Sequence, residues 1–170
     1  MSKKSSSSEG EELIEEFLGE KIIEFKREVD ILNLNYDDAY YRKADFYLPR
    51  YKVYIEFFGK YNTEKGRIKY QKKKEVYEKN RIPCIYIYPD NLGALEFIFK
   101  IRLRKELKKY PHLKFQRFKY NIDILMEKHF LELIIVGLLI YFIKDITAKI
   151  IFSLIFIYIF YNAIKSTFLK

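Results

Sequence analysis

The sequence predicts an α/β fold, a small mixed sheet flanked by helices, followed by two hydrophobic helices. Its first 109 residues show helical and extended patterns in the order helix, strands, helix, strand, helix, which is typical of α/β layers. Charged and apolar residues are segregated along the chain. Residues 1–128 contain 28 Lys and Arg and 21 Asp and Glu, whereas residues 129–170 contain four basic and two acidic residues. The apolar excess therefore belongs to the C-terminal part.

The composition excludes several classes of protein. Of the 170 residues, 49% are hydrophobic and 32% are charged, with six Gly and four Pro, which rules out a disordered chain and a collagen-like fibre. The single cysteine, Cys84, cannot form an intramolecular disulfide or a multi-cysteine metal site. We therefore expect a reducing, cytosolic environment for the folded domain.

The folded domain is expected to span residues 11–109. Residues 1–10 are predicted to form a disordered tail, because they lack the apolar core of a signal peptide. Apolar side chains recur at helical spacing from Leu13 onward and predict an amphipathic helix over Glu11–Arg27. Glu28–Leu34 is compatible with a strand, and a polar loop follows it.

The remaining elements follow in order. Two short extended runs, Ala44–Leu48 and Val53–Phe58, are predicted to form a hairpin with a four-residue loop. A polar, basic segment comes next, in which Arg67–Asn80 has a helical pattern. The apolar run Ile82–Tyr88 suits a buried strand, and the turn residues after it lead into a helix that ends at Lys109.

The predicted hairpin places two carboxylates opposite each other. Closing the loop between Leu48 and Val53 leaves Asp45 facing Glu56, with their Cβ atoms about 4.5–5.5 Å apart. Like charges about 4 Å apart repel by roughly 4 kcal/mol at an effective dielectric near 20, so the pair needs a compensating partner. A divalent cation with oxygen ligands is one such partner, and Lys or Arg side chains on a solvated face are the alternative. The same register pairs Tyr47 with Tyr54 and Phe46 with Ile55, and it puts Phe46, Leu48, Val53 and Ile55 on the core face.

The hairpin sequence resembles a nuclease motif. The stretch RKADFYLPRYKVYIEFFG is similar to the core of the PD-(D/E)XK nuclease superfamily, in particular its very-short-patch-repair-like and helicase-associated members. Asp45 matches the motif aspartate, and Glu56 matches the motif glutamate. The resemblance covers roughly residues 19–92, including Glu28 and the closing IYIYPDNL, and it implies a restriction-endonuclease-like fold.

The resemblance also implies a chemistry. Members of this superfamily hydrolyse phosphodiester bonds with a metal ion, so Asp45, Glu56 and the backbone carbonyl of Phe57 are implied to bind Mg²⁺ or Mn²⁺. Glu20, on the first predicted helix, would orient or share a metal. Such an ion lowers the pKa of a bound water and offsets the charge that develops on the phosphate. DNA is the expected substrate.

The lysine of the family motif is missing from its usual position, which Phe58 occupies. A lysine on the following helix is the expected substitute, as occurs elsewhere in the superfamily. Lys73 is the first choice, because it shares one helical stripe with Tyr70 and Tyr77. Lys60 is the second, since its Cα lies about 13 Å along the strand from that of the motif glutamate. The alternative is that these lysines form a solvated surface.

A strongly basic stretch, Lys100–Lys119, contains nine Lys and Arg against one Glu. It overlaps a predicted linker over residues 110–121. Such a stretch can bind phosphate groups without sequence specificity, either on DNA or on anionic membrane lipid. Because it lies immediately before the hydrophobic segment, the lipid interpretation has at least equal weight.

The hydrophobic segment consists of two apolar runs, Leu133–Ile143 and Ile150–Tyr161. Neither has a polar face, and a chain of this length has no core large enough to bury two such helices. Each run alone is shorter than the roughly 20 residues that span a bilayer, but its flanks extend it to that length. Residues 122–170 are therefore predicted to form a membrane-embedded helical hairpin, with the basic domain on the cytoplasmic side. A dimerisation or core hairpin is the alternative.

These features predict a metal-dependent, endonuclease-like domain that cleaves DNA and is anchored at the cytoplasmic face of the cell membrane. One alternative is a catalytically inactive module of nuclease fold that tethers nucleic acid or a protein partner to the membrane, and Phe58 favours it. Another is a peripheral lipid-binding protein that uses Lys100–Lys119 and does not act on nucleic acid.

Overall fold

The computed structural model describes residues 8–168. The chain divides into two compact units, the first ending at Arg117 and the second beginning at Phe118. In chain order the helices and strands are α1 (Glu9–Glu20), β1 (Lys26–Leu32), β2 (Tyr41–Leu48), β3 (Val53–Phe57), α2 (Glu64–Lys79), β4 (Cys84–Ile87), α3 (Leu95–Lys109), α4 (Lys114–Phe142) and α5 (Ile146–Phe168), with short 3₁₀ turns at Pro89–Ala94 and Pro111–Leu113.

The sheet of the first unit is mixed and has the strand order β1-β2-β3-β4. Strands β1, β2 and β3 are antiparallel neighbours, and β4 lies parallel to β3 after the crossover through α2. This topology confirms the predicted α/β class with a small mixed sheet. The hairpin has the predicted register, with Tyr47 opposite Tyr54 and Phe46 opposite Ile55.

Helices of the first unit pack against the sheet. On one face, α2 packs through Val76 and Tyr77 against a core that includes Cys84 of β4. Helices α1 and α3 contact each other through the rings of Phe17 and Phe99, whose centroids lie 5.3 Å apart. The predicted core residues of the hairpin, Phe46, Leu48, Val53 and Ile55, are completely buried.

The first helix is shorter than predicted, because it ends at Glu20 instead of continuing to residue 27. Ile22 has a φ of 54°, in the left-handed region, and the Ile23 N–H donates to the Leu18 carbonyl at 2.9 Å. This pattern closes a helix C-terminus. Ile22 is 93% exposed, so its apolar side chain continues the helical spacing without joining the core.

Other boundaries differ by a few residues. Strand β2 begins three residues earlier than predicted, because its first residues pair with β1. Helix α2 also begins three residues earlier, since Thr63 caps it by accepting the Gly66 N–H on Oγ1 at 3.1 Å. A side chain does not fit at Gly66, where a Cβ would lie 1.9 Å from the Lys60 carbonyl oxygen.

The predicted linker over residues 110–121 is helical. It contains the 3₁₀ turn Pro111–Leu113 and the first eight residues of α4. Tyr110 and Leu113 are both buried, and the first unit continues to Arg117. The first compact unit therefore includes residues beyond the predicted domain boundary at residue 109.

The second unit contains one candidate membrane span, not the two that the sequence predicted. Helix α5 has 23 residues, a mean hydropathy of 1.7 in its apolar part, and only 6% of that part is buried. Within residues 8–168, α4 does not qualify, because its last 18 residues include Glu127, Lys128 and Glu132. Among the described residues, α5 is the one helix that is long and apolar enough to cross a membrane, by length and composition.

Candidate active site

A buried carboxylate, Glu56 of β3, forms the centre of the candidate site. Its exposed fraction is only 2%. Its Oε2 lies 2.5 Å from the Lys73 ammonium, and its Oε1 accepts a hydrogen bond from the Tyr77 hydroxyl at 2.7 Å. Lys73 and Tyr77 are four residues apart on α2, so the helical repeat presents both side chains to the same carboxylate.

Lys73 is held from a second side as well. Its ammonium donates to the Lys43 carbonyl of β2 at 2.8 Å, and the side chain is 13% exposed. The ammonium therefore joins strands β2 and β3 to α2. An ammonium with two oxygen partners is well placed to neutralise a buried carboxylate.

Asp45 lies on β2 beside this group and is half-buried. Its Oδ2 accepts the Phe57 N–H at 2.6 Å. The backbone ladder between β2 and β3 stops at the preceding pair, Phe46 with Ile55, and the aspartate side chain takes over the free N–H. This short bond fixes the position of the carboxylate on β3 beside Glu56.

The electrostatic environment raises the pKa values of both Glu56 and Asp45. Burial raises the pKa of Glu56 to about 7; the Lys73 ammonium opposes this shift and the Asp45 carboxylate adds to it. Burial also raises the pKa of Asp45, against the stabilising effects of the Phe57 N–H and Lys73. Burial and the neighbouring Glu56 raise the pKa of Tyr77 above its usual range, so its hydroxyl stays a donor at neutral pH.

The structure brings three of the predicted side chains together and leaves one apart. Asp45, Glu56 and Lys73 share one site through the contacts given above. Glu20 is exposed at the C-terminal end of α1, and no hydrogen bond or ion pair among residues 8–168 joins it to the others. The acidic residue of α1 that raises the pKa of Asp45 is Glu11, in the first turn of the helix.

The start of α1 lies close to the site because Gly10 permits it. A Cβ on Gly10 would lie 2.1 Å from Cζ of Phe57, so the absence of a side chain allows the helix to pack directly on that ring. Glu28 of β1 also raises the pKa of Asp45. The carboxylates around Asp45 therefore come from α1, β1 and β3.

Phe58 occupies the position of the usual motif lysine and has a structural role. It is 1% exposed and stacks on Tyr70 of α2 with ring centroids 4.2 Å apart and an interplanar angle of 9°. It also contacts the rings of Tyr86 and Tyr88. The other candidate, Lys60, is exposed in the turn after β3.

The site offers two carboxylates as metal ligands. Within the part of the chain that the structure describes, no group of three or more His, Cys, Asp and Glu side chains could hold a metal ion. Mg²⁺ does not need such a group, since it is commonly bound by one or two carboxylates together with water and substrate phosphate. Over residues 8–168, Asp45 Oδ1 accepts no hydrogen bond, so this oxygen is available to a cation. The donor set fits the implied ion on these grounds.

Two partners of the site were not assigned from the sequence. One is the Tyr77 hydroxyl, although its spacing from Lys73 was visible, because spacing does not show which strand residue a helix faces. The other is the Lys43 carbonyl, because a contact made by the backbone does not depend on the residue type.

Comparisons of the chain with protein families, curated proteins and solved structures gave no match. The fold and the site thus define an α/β protein with a buried carboxylate–lysine site.

Proposed function

We propose that this protein is a Mg²⁺-dependent nuclease of PD-(D/E)XK type that hydrolyses DNA at the cytoplasmic face of a membrane. The observation that supports the proposal is the grouping of Asp45, Glu56 and Lys73. These residues come from β2, β3 and α2, and each has a hydrogen bond that fixes it.

In this proposal each residue has a definite task. Asp45, Glu56 and the backbone carbonyl of Phe57 would hold Mg²⁺, which supplies an activated water and offsets phosphate charge when bound. Lys73 neutralises Glu56 in the absence of substrate and offers its positive charge to a phosphate when one is present. Tyr77 fixes the orientation of Glu56 through its hydroxyl.

The membrane part of the proposal is supported by α5, which is long and apolar enough to cross a membrane and of whose apolar part only 6% is buried. The basic stretch Lys100–Lys119 would add attraction to DNA or to anionic lipid. Some of its charge is used inside the first unit. Lys109 lies 3.7 Å from the carboxylate of Glu78, and the Arg102 guanidinium donates to the Tyr86 carbonyl. The stretch therefore does not present all of its nine cations to one ligand.

A cleavage assay tests the nuclease. The full chain, purified in detergent, is incubated with labelled single-stranded, duplex and flapped DNA in Mg²⁺, Mn²⁺ or EDTA. We expect cleavage that needs the metal and is lost in Asp45→Asn. Asp90→Asn, the same change at an exposed aspartate outside the site, is the matched control and should cleave normally. Cleavage that persists in Asp45→Asn would show that another site, or a contaminant, is responsible.

The second candidate function is an inactive module that tethers nucleic acid. Two observations favour it: Phe58 is locked in an aromatic cluster, and both oxygens of Glu56 have partners within the protein. In that case Mg²⁺ would not raise the thermal unfolding temperature, no DNA would be cleaved, and DNA would still bind in a salt-sensitive manner.

A further inference from the structure

A groove of about 650 Å³ runs along α2 in the first unit, outside the carboxylate site. None of Asp45, Glu56 and Lys73 lines it. Its lining combines aromatic, basic and apolar side chains, among them Tyr36, Tyr61, Arg67, Ile68, Lys72 and Lys79.

Two tyrosine rings mark the groove. Tyr36 is 78% exposed, and the Lys79 ammonium lies 5.6 Å from its ring centroid. Its φ of 62° is in the left-handed region, which a bulky residue rarely adopts. Tyr61 is 37% exposed and packs edge-on against Tyr88 at 4.7 Å, so its ring is supported from one side.

The charge of the groove is positive. Arg67, Lys72 and Lys79 line it against one acid, Glu75. Lys72 forms an ion pair with Asp38, but the two side chains are 52% and 87% exposed, so a phosphate can replace the aspartate at little cost. Ile68 is 65% exposed and adds an apolar surface between the cations.

The length of the groove suits a short polymer. From Arg67 to Lys79 the helix advances by twelve residue steps, or roughly 18 Å. A stacked nucleic-acid strand advances by about 3.4 Å per nucleotide, so about five nucleotides cover this distance.

We propose that this groove binds single-stranded nucleic acid, with bases stacked on Tyr36 and Tyr61 and phosphates on Arg67, Lys72 and Lys79. Stacking platforms beside a basic track are the usual way to bind single strands without sequence preference. A duplex keeps its bases stacked inside and offers no ring to an exposed tyrosine. If the protein is the proposed nuclease, this groove makes single-stranded nucleic acid its substrate, and that part of the inference rests on the proposed function. The binding itself does not depend on catalysis.

Binding is measured with the full chain in detergent and EDTA, using the fluorescence anisotropy of a labelled 12-nucleotide single strand and of the matching duplex. We expect tighter binding of the single strand and a rise in Kd of about fivefold or more for Tyr36→Ala, since stacking on one ring is worth about 1–3 kcal/mol. Tyr36→Phe keeps the ring and should bind normally. Tyr40→Ala removes an equally exposed tyrosine that does not line the groove and is the matched control.

Several results would contradict the proposal that this groove binds single-stranded nucleic acid. Equal affinities for single strand and duplex would do so, as would a Kd that Tyr36→Ala leaves unchanged or that Tyr40→Ala raises as much. Displacement of the oligonucleotide by phosphatidylserine vesicles, with vesicle binding lost in Tyr36→Ala, would assign the groove to lipid. The two proposals fail separately: if the wild type binds the single strand as expected but cleaves no DNA, the binding groove is supported and the nuclease is not.

Discussion

Glu56 is the residue on which the site depends, because a carboxylate that is 2% exposed needs compensation for its charge. Lys73 supplies the opposite charge, and Tyr77 supplies a hydrogen bond. Replacing one member of a buried ion pair costs more than the pair itself contributes, because the remaining charge stays buried. The stability of the first unit is therefore tied to the candidate site.

We expect Lys73→Met to lower the free energy of unfolding by about 3 kcal/mol or more at pH 8, and by less at pH 5, where Glu56 can be protonated. Denaturant unfolding followed by circular dichroism measures the difference. Lys72→Met is the matched control: it is the adjacent lysine, its ion pair with Asp38 is exposed, and its loss should change stability by about 0.5 kcal/mol at most. Equal effects at the two positions would contradict the buried pair.

The raised pKa of Glu56 predicts a pH dependence. The unfolded chain releases this proton near pH 4.5 and the folded chain near pH 7, so the folded state binds more protons between these values. The contribution of Glu56 to stability is therefore fully present below pH 4.5 and is lost as the pH rises through 7.

In EDTA, we expect the titration of Glu56 to lower the free energy of unfolding of the wild type by up to about 3 kcal/mol as the pH rises. Glu56→Gln should remove this decrease. Unfolding curves at half-unit steps from pH 4.5 to 7.5 provide the test, with the exposed Glu16→Gln as control. If Glu56→Gln and Glu16→Gln keep the same slope as the wild type, the buried carboxylate is not the titrating group. Mg²⁺ should move the transition to lower pH, because it favours the ionised form.

At the residue scale, the sequence was sufficient to predict the positions of side chains that depend only on local strand or helix geometry. The two-residue period of strands set Asp45 and Glu56 on one face, and the helical repeat set Lys73 beside Tyr77. The acid contributed by the first helix depends instead on which end of α1 lies over β3. That is a matter of tertiary packing, so the sequence indicated Glu20 and the structure has Glu11 near Asp45.

The packing of α1 on the sheet is the critical contact at the scale of elements. Gly10 lies against the ring of Phe57, and the N–H of the same phenylalanine fixes Asp45. A change in this contact should therefore affect both stability and the site. Nothing in the pattern of apolar residues reveals it, because a glycine contributes no periodicity.

We expect Gly10→Ala to destabilise the first unit by about 1–3 kcal/mol, since its methyl group would overlap a buried ring. Gly19→Ala, in the same helix, has no atom within 4 Å of the new Cβ and should stabilise by about 0.5–1 kcal/mol through helix propensity. Thermal unfolding of the two variants is the measurement. Two shifts of the same sign would show that propensity, not the contact with Phe57, decides the result.

The sequence predicted the order of the elements in the first unit but not all of their ends. The pairing of β2 with β3 followed from loop length and alternation, which are local. The end of α1 at Glu20 did not, because Ile22 adopts the left-handed conformation without a glycine to mark it. Helix ends that depend on an atypical residue are visible only in the folded chain.

At the scale of the whole molecule, charge and apolar surface are divided between the two units. The first unit carries the mixed sheet and the polar site, and the second carries α5, of whose apolar part only 6% is buried. The prediction of two membrane helices was wrong for α4, because acidic and basic residues interrupt the part before residue 133. The predicted span counted this charged flank towards the length that crosses a bilayer.

If α5 spans a membrane, a charge at its centre must interfere with insertion. Ile157 lies near the middle of the helix and is 61% exposed, so Ile157→Lys does not disturb a packed core, yet a lysine there costs about 2.5–3.5 kcal/mol on insertion. We expect the wild-type chain to stay with membranes after alkaline carbonate extraction, and Ile157→Lys to be released in larger part. Ile157→Ala removes the same side chain without adding charge and should behave like the wild type. Release of the wild type by carbonate would contradict a membrane-spanning α5.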